Sequence, residues 1–95
     1  MASPARTITF AIWGPIARGD LPGLSDRVCA LLSEGGATLA FCDVTGVDVD
    51  AVTVDALARL QLAARRQQCR IRLRNASDEL RDLIAFMGLD EILPA

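Results

Sequence analysis

Residues 43–55 hold the side chains of this chain that offer the most chemistry, four aspartates and two threonines. Asp43, Asp48 and Asp50 could in principle bind Mg²⁺ through their carboxylates, although aspartates in turns more often stabilise the turn itself. The chain has no histidine, no lysine and no glycine-rich phosphate loop, so nucleophile and general-base roles would fall on aspartates alone. We therefore predict a protein that is not an enzyme and that holds neither a metal ion nor a cofactor.

The composition fits one compact domain spanning residues 1–95. Hydrophobic residues make up 52% of the 95 positions and aromatic residues 4%, which predicts an aliphatic core that needs no disulfides. The net charge of −2 provides no basic field that would attract nucleic acid. No apolar run reaches the length of a membrane span, and the first residues lack a signal-peptide pattern. We expect a cytoplasmic protein, with residues 1–6 as a disordered lead-in.

The three cysteines, Cys29, Cys42 and Cys69, stand far apart in the sequence. Their odd number and the absence of histidine argue against a disulfide framework or a metal site. Cys29 and Cys42 have apolar neighbours, so we interpret both as small core residues.

Two strands are predicted before the aspartate-rich segment, joined by a helix that begins near Asp20. Residues 7–13 alternate between apolar and more polar side chains, which is typical of a strand with one covered face at a sheet edge. Residues 39–42 form a short apolar run, which predicts a strand covered on both faces and ended by Asp43. Residues 44–52 are then expected to form a turn.

A second helix follows this turn, and either Asp50 or Thr53 could provide its N-cap. Its packing side holds residues at helical spacing, Val54, Leu57, Leu60 (or Gln61) and Ala64. Its outward side then holds three charged residues and one leucine, Asp55, Arg59, Leu62 and Arg66. Leu62 is then an apolar side chain surrounded by charged ones, which makes it a candidate anchor for a protein interface. A rotation of the helix that buries Leu62 is the alternative.

Residues 70–74 alternate strictly and predict a third strand with three arginines on one face, Arg70, Arg72 and Arg74. This row could be an anion site, but a solvated face whose side-chain stems cover apolar surface is the simpler interpretation. A final helix is expected after a cap at residues 75–77, and Gly88 is expected to end it.

Strands and helices that alternate with short connections predict a layered α/β fold with a mostly parallel sheet. In such sheets, ligands and partners bind outside the carboxyl ends of the strands. Residues 43–53 are expected at that position, and so are residues 14–20.

The chain resembles the STAS domain, known from the antagonists of bacterial anti-sigma factors. The resemblance rests on Asp43-Val44-Thr45, on Asp50, on Phe86-Met87-Gly88-Leu89 and on the Gly14-Pro15-Ile16 turn. It implies one STAS-like domain, with a sheet of about four strands and an edge strand at the N-terminus. In the family a serine after the aspartate at the helix head is the usual kinase target, but this chain has Ala51 there. Thr53 is the nearby hydroxyl, either a displaced phosphoacceptor or a plain N-cap.

The resemblance implies a non-enzymatic regulatory module that binds a switch kinase or another signalling protein. The alternative is a structural subunit that braces the ATPase of a bacterial phospholipid-trafficking ABC transporter. The expected partner-binding residues come from the turn and the helix after it: Asp43, Thr45, Asp48, Asp50, Ala51, Thr53, Asp55, Arg59, Leu62 and Arg66. We expect a protein partner, without nucleic acid or membrane insertion, and a homodimer stays open.

Overall fold

The computed structural model describes residues 6–93, which form a three-stranded parallel sheet with helices between the strands. The strands are β1 (Thr7–Gly14), β2 (Leu39–Val47) and β3 (Arg70–Arg74), in the spatial order β1-β2-β3. The helices are α1 (Leu21–Gly35), α2 (Ala51–Arg66) and α3 (Asp78–Phe86), and a single 3₁₀ turn at Arg18–Asp20 precedes α1.

The predicted α/β class, the parallel sheet and the edge position of the first strand are confirmed. The expected fourth strand is not found, because three strands account for the sheet within residues 6–93. The lead-in expected at residues 1–6 falls mostly outside the described residues. Arg6 lies inside them, and its carbonyl accepts hydrogen bonds from the backbone N–H groups of Thr38 (3.0 Å) and Leu39 (3.3 Å).

One face of the sheet forms the core. The strand side chains on this face are buried, Ile12, Ala40, Cys42, Val44, Ile71 and Leu73. Helices α1 and α2 cover them, and α3 adds Leu80 and Ile84. Burial of this aliphatic surface is the main driving force for folding, at about 25 cal/mol per Å².

The prediction that β2 is covered on both faces and ends at Asp43 is wrong. Leu39 and Phe41 are only half-buried, since no helix of the described residues packs against their side of the sheet. The strand continues to Val47 because β1 pairs with it that far, with Trp13 opposite Gly46 and Gly14 opposite Val47. Pairing with a neighbouring strand has overridden the turn preference of the local sequence.

The C-terminal end of α1 and both ends of α3 follow the expected capping rules, whereas the Asp20 side chain accepts from the N–H of Ala17 and does not cap α1. Helix α1 begins after Asp20 with Pro22 in its first turn, and Gly36 ends it in the left-handed conformation (φ 59°). Helix α3 begins after Ser77, whose Oγ accepts a hydrogen bond from the N–H of Leu80 at 3.1 Å. Gly88 follows α3 with φ 73°, a backbone conformation that glycine adopts without strain.

Gln61 of α2 closes the outer edge of β3. Its side chain is 2% exposed, and its Oε1 accepts a hydrogen bond from the N–H of Ile71 at 2.8 Å. Its Nε2 donates to the carbonyls of Ile71 (2.8 Å) and Ile92 (2.9 Å). The amide therefore substitutes for a neighbouring strand at the centre of β3 and also holds the segment that follows α3.

Candidate partner-binding site

Asp43 lies in the middle of β2, and its side chain is fixed by Thr45 two residues further along the strand. Asp43 Oδ1 accepts hydrogen bonds from the N–H (2.9 Å) and the Oγ1 hydroxyl (2.6 Å) of Thr45. These bonds, with smaller contributions from Asn75 and from the charge of Arg74, hold the pKa of Asp43 below its usual value. Asp43 is therefore ionised at neutral pH, and the exposed Thr45 hydroxyl is engaged with it.

The connection between β2 and α2 is only residues 48–50, much shorter than the predicted turn at 44–52. Asp48 and Val49 are exposed within it. The backbone before it is closely packed, since a methyl group added at Gly46 would lie 3.1 Å from Cε3 of Trp13. A short connection of this kind fixes Asp48 and Asp50 relative to both the strand and the helix.

Asp50 is the N-cap of α2. Its backbone is extended (φ −145°, ψ 168°), and its Oδ1 accepts a hydrogen bond from the N–H of Thr53 at 2.8 Å. Of the two capping residues that the sequence allowed, Asp50 is therefore the one used, and the prediction that Thr53 caps the helix is wrong. Ala51 is the first residue of the helix and is exposed.

Thr53 is fully buried, at 0% exposure, and its Oγ1 has no hydrogen-bond partner within the described part of the chain. A kinase must reach a hydroxyl to phosphorylate it, so this geometry contradicts a displaced phosphoacceptor at Thr53 in the folded protein. It also removes Thr53 from the surface that a partner could contact. The burial of Thr53 is not evident from the sequence, because threonine at a helix start is commonly an N-cap residue.

We predict that Asp50→Ala lowers the free energy of unfolding by about 1 kcal/mol, because the amide of Thr53 loses its cap. Thr53→Val tests whether Thr53, the other candidate N-cap, contributes to capping. It should leave stability unchanged or raise it, since it replaces an unpaired buried hydroxyl with a methyl group of similar size. Urea denaturation of both variants measures the two effects. A larger loss for Thr53→Val than for Asp50→Ala would contradict this assignment of the cap.

The outward face of α2 is the one predicted from its periodicity. Leu57, Leu60 and Ala64 are buried, whereas Leu62 is 48% exposed. The alternative rotation that would bury Leu62 is therefore wrong. Arg59 Nε lies 3.0 Å from Asp55 Oδ2, one helical turn away, an exposed pair that contributes only a few tenths of a kcal/mol.

The family model described as "Mlab, STAS domain" matches residues 2–94. The chain belongs to the STAS family. A sulfate transporter family protein from Wolinella succinogenes is similar to this STAS domain, with a TM-score of 0.70 and 24% identity over 98% of this chain and 75% of that one. The anti-sigma factor antagonist SpoIIAA in its unphosphorylated form has a TM-score of 0.61 and 17% identity over 98% of this chain and 82% of its own. These likenesses support the fold, and a comparison with curated proteins gave no match.

Leu62 of the STAS domain lies beside a groove between α1 and α2, with a volume of about 500 Å³. Its apolar lining comes from both helices: Leu21, Pro22, Leu24, Leu60, Leu62 and Ala63. Arg18, Arg59 and Arg66 also line the groove. Helical periodicity identified Arg59 and Arg66. Arg18 belongs to the 14–20 segment expected at the binding edge, but its position beside α2 depends on how α1 packs, which periodicity does not encode.

The predicted site residues divide into two neighbouring groups in the STAS domain. Asp43 and Thr45 lie in the middle and the carboxyl half of β2, before the connection that carries Asp48 and Asp50, and the α2 residues follow along the helix. Asp43, Asp48 and Asp50 do not converge, since residues 6–93 contain no group of three metal-ligating side chains placed to hold an ion. None of the helices in the described range has the length and apolar character required to cross a bilayer.

Proposed function

We propose that this STAS domain is a non-enzymatic regulatory module of the cytoplasm that binds a signalling protein, such as a switch kinase. The partner docks on the connection at residues 48–50 and on the outward face of α2. One observation carries the proposal, the 48% exposure of Leu62 beside a groove with an apolar floor and three arginines. Apolar anchors surrounded by arginine are common at protein interfaces.

The chemistry of Asp43 and Thr45 on β2 also favours binding over catalysis. Asp43 is the carboxylate most strongly fixed there, and its lowered pKa makes it a poor general base near neutral pH. Its two strongest hydrogen bonds orient Thr45, which leaves a rigid, exposed polar surface in the carboxyl half of β2. A preorganised surface of this kind loses little conformational entropy when a partner binds.

We predict that Leu62→Asp abolishes retention of the partner when the tagged protein is purified from its native host. The substitution removes the apolar anchor and brings a hydrated, charged carboxylate against the apolar surface of the partner that Leu62 would contact. Leu31 of α1 provides a matched control, because it is also an exposed leucine on a helix, at 43%. Leu31→Asp should retain the partner. If Leu62→Asp retains it as well, or both variants lose it, the outward face of α2 is not the docking surface.

A structural subunit that braces a transporter ATPase is the second candidate. The observation that favours it is the absence of an accessible hydroxyl at the head of α2, since Ala51 has none and Thr53 is fully buried. The family's usual switch would then be missing, and binding would be constitutive. The same purification distinguishes the two candidates, through the identity of the protein that the unaltered chain retains and Leu62→Asp does not. A kinase-like protein supports the first candidate, and an ABC ATPase supports the second. Loss of self-association alone would instead indicate a homodimer.

A further inference from the structure

The sheet has a second face that no helix of the described residues covers. We call it the open face. Its side chains come from alternate positions of the three strands: Thr7, Thr9, Ala11, Trp13, Leu39, Phe41, Asp43, Arg70, Arg72 and Arg74. The register aligns them in rows across the sheet, with Thr9 beside Phe41 and Phe41 beside Arg72. All of these side chains are exposed or half-buried.

An uncovered face is unusual for this kind of sheet. Purely parallel sheets occur almost only with both faces covered, because each face presents apolar side chains to its surroundings. Here all strand pairs are parallel, and the helices lie together on the opposite face, where α1 contacts α2 and α2 contacts α3. Strands in the order β1-β2-β3 that are joined by right-handed crossovers place their connecting helices on one side of the sheet, so the topology itself leaves the second face open.

The open face combines an apolar centre with a row of positive charge. Leu39 and Phe41 form the centre on β2, and Trp13 is 77% exposed at its end. The guanidinium carbon of Arg74 lies 3.9 Å from the centroid of the Phe41 ring. Asp43 is the only acidic residue among the open-face positions, against three arginines. The ion pair found within residues 6–93 is Asp55–Arg59, so none of the three arginines forms a salt bridge there, and Arg74, which lies opposite Asp43 in the register, is the one with a carboxylate nearby.

We propose that the open face docks an acidic amphipathic helix of a partner protein. Cα atoms two residues apart on a strand are about 6.6 Å apart, so the arginine row spans about 13 Å. Residues four apart on a helix rise by about 6 Å, and carboxylates at positions i, i+4 and i+8 match the three arginines. Apolar side chains on the adjacent stripe of that helix cover Leu39 and Phe41, about 5 Å away on the neighbouring strand.

The same observations disfavour other occupants. Nucleic acids and anionic membranes attract proteins through a broad basic field, and this chain carries a net charge of −2. A partner strand is excluded from the centre of the β3 edge, because Gln61 already occupies the outward N–H and C=O of Ile71. A helix that carries both carboxylates and leucines satisfies the charge and the apolar centre together.

The test uses a synthetic helical peptide with glutamates at positions i, i+4 and i+8 and leucines on the adjacent stripe. Trp13 is the single tryptophan of the chain and is exposed near the end of β1, so its fluorescence provides a binding signal whose position on the open face is then mapped by NMR. We expect a saturable change in its emission, with NMR shifts concentrated on residues of β2 and β3. Arg72→Glu should weaken binding at least about tenfold through charge reversal at the centre of the row.

Arg81→Glu is the matched control, because it makes the same charge change at an exposed position on α3. The Arg81→Glu variant should bind the peptide as tightly as the unaltered protein does. A second control, a peptide with glutamine in place of each glutamate, should not bind. No binding at millimolar peptide, equal weakening by both variants, or NMR shifts confined to α2 would overturn the proposal. Tighter binding to phosphatidylglycerol vesicles or duplex DNA than to the peptide would also overturn it, and would identify a different class of partner.

Discussion

Gln61→Leu is expected to lower the free energy of unfolding by about 2–5 kcal/mol, a large fraction of the stability of a domain this small. The substitution keeps a side chain of similar volume but removes the hydrogen bonds to the N–H and C=O of Ile71 and to the carbonyl of Ile92. The N–H and C=O of Ile71 lie in a buried environment, where an unpaired polar group costs about 1–3 kcal/mol.

Two further variants separate the hydrogen bonds from the packing. Gln61→Glu keeps the shape and one acceptor, but its second oxygen would face two carbonyls, so it should be at least as destabilising at neutral pH and should recover as the carboxyl protonates in acid. Gln67→Leu changes an exposed glutamine just beyond α2 and should stay within about 0.5 kcal/mol. Urea denaturation at pH 7 and pH 5 provides the measurement. A loss below about 1 kcal/mol for Gln61→Leu would show that water satisfies Ile71 instead.

The sequence predicts the helix that carries Gln61, but it does not predict the hydrogen bonds that Gln61 makes. Periodicity placed the packing side of α2 through Leu60 or Gln61, and both are buried. From the sequence alone, a glutamine at such a position has no identifiable partner. Its partners are backbone groups of β3 and of the segment after α3. Those groups come close only once the sheet has formed, so the contact depends on tertiary structure.

The ends of elements were predicted less well than the elements themselves. All three strands and all three helices follow from apolar spacing, which reflects the burial that stabilises them. The sequence predicts that Asp43 ends the strand and that Thr45 lies in a turn, yet pairing with β1 holds both residues in a strand. Similarly, Asp50 and Thr53 are both good caps, and only the extended backbone at Asp50 decides between them.

In the candidate site too, features set within one helix are predictable from the sequence, and features that depend on contacts between strands are not. The outward face of α2 was predicted correctly, because one helix determines it. The open face was not recognised as a surface, because residues 39–42 look like a strand buried on both sides and the arginine row looks like ordinary solvated surface. Their combination appears only when the register places Phe41 beside Arg72 and the helices are found on the opposite face. Residues that act together across strands are therefore difficult to infer from one sequence.

Cys42 is expected to make the protein unusually sensitive to alkaline pH. Its side chain is 0% exposed, and burial, with a smaller effect from the charge of Asp43, raises its pKa from 9.0 to about 12. Above pH 9 the unfolded chain releases the thiol proton while the folded protein retains it, so this stability is present below pH 9 and is lost as pH rises toward 12. The slope approaches about 1.4 kcal/mol per pH unit, with a total loss of at most about 4 kcal/mol.

The composition makes this prediction simple to test, because the chain has no tyrosine and no lysine to titrate in the same range. Urea denaturation at pH 7.5, 9 and 10.5 should show a steep fall for the unaltered protein and a much shallower one for Cys42→Ala. Cys69 also has a raised pKa through burial, so a residual slope should remain in that variant. Cys29→Ala changes a half-buried cysteine and should keep the full slope. If Cys42→Ala and Cys29→Ala fall equally steeply, the Cys42 thiol is not the group responsible, and the interior beneath β2 must be more accessible to water than its complete burial indicates.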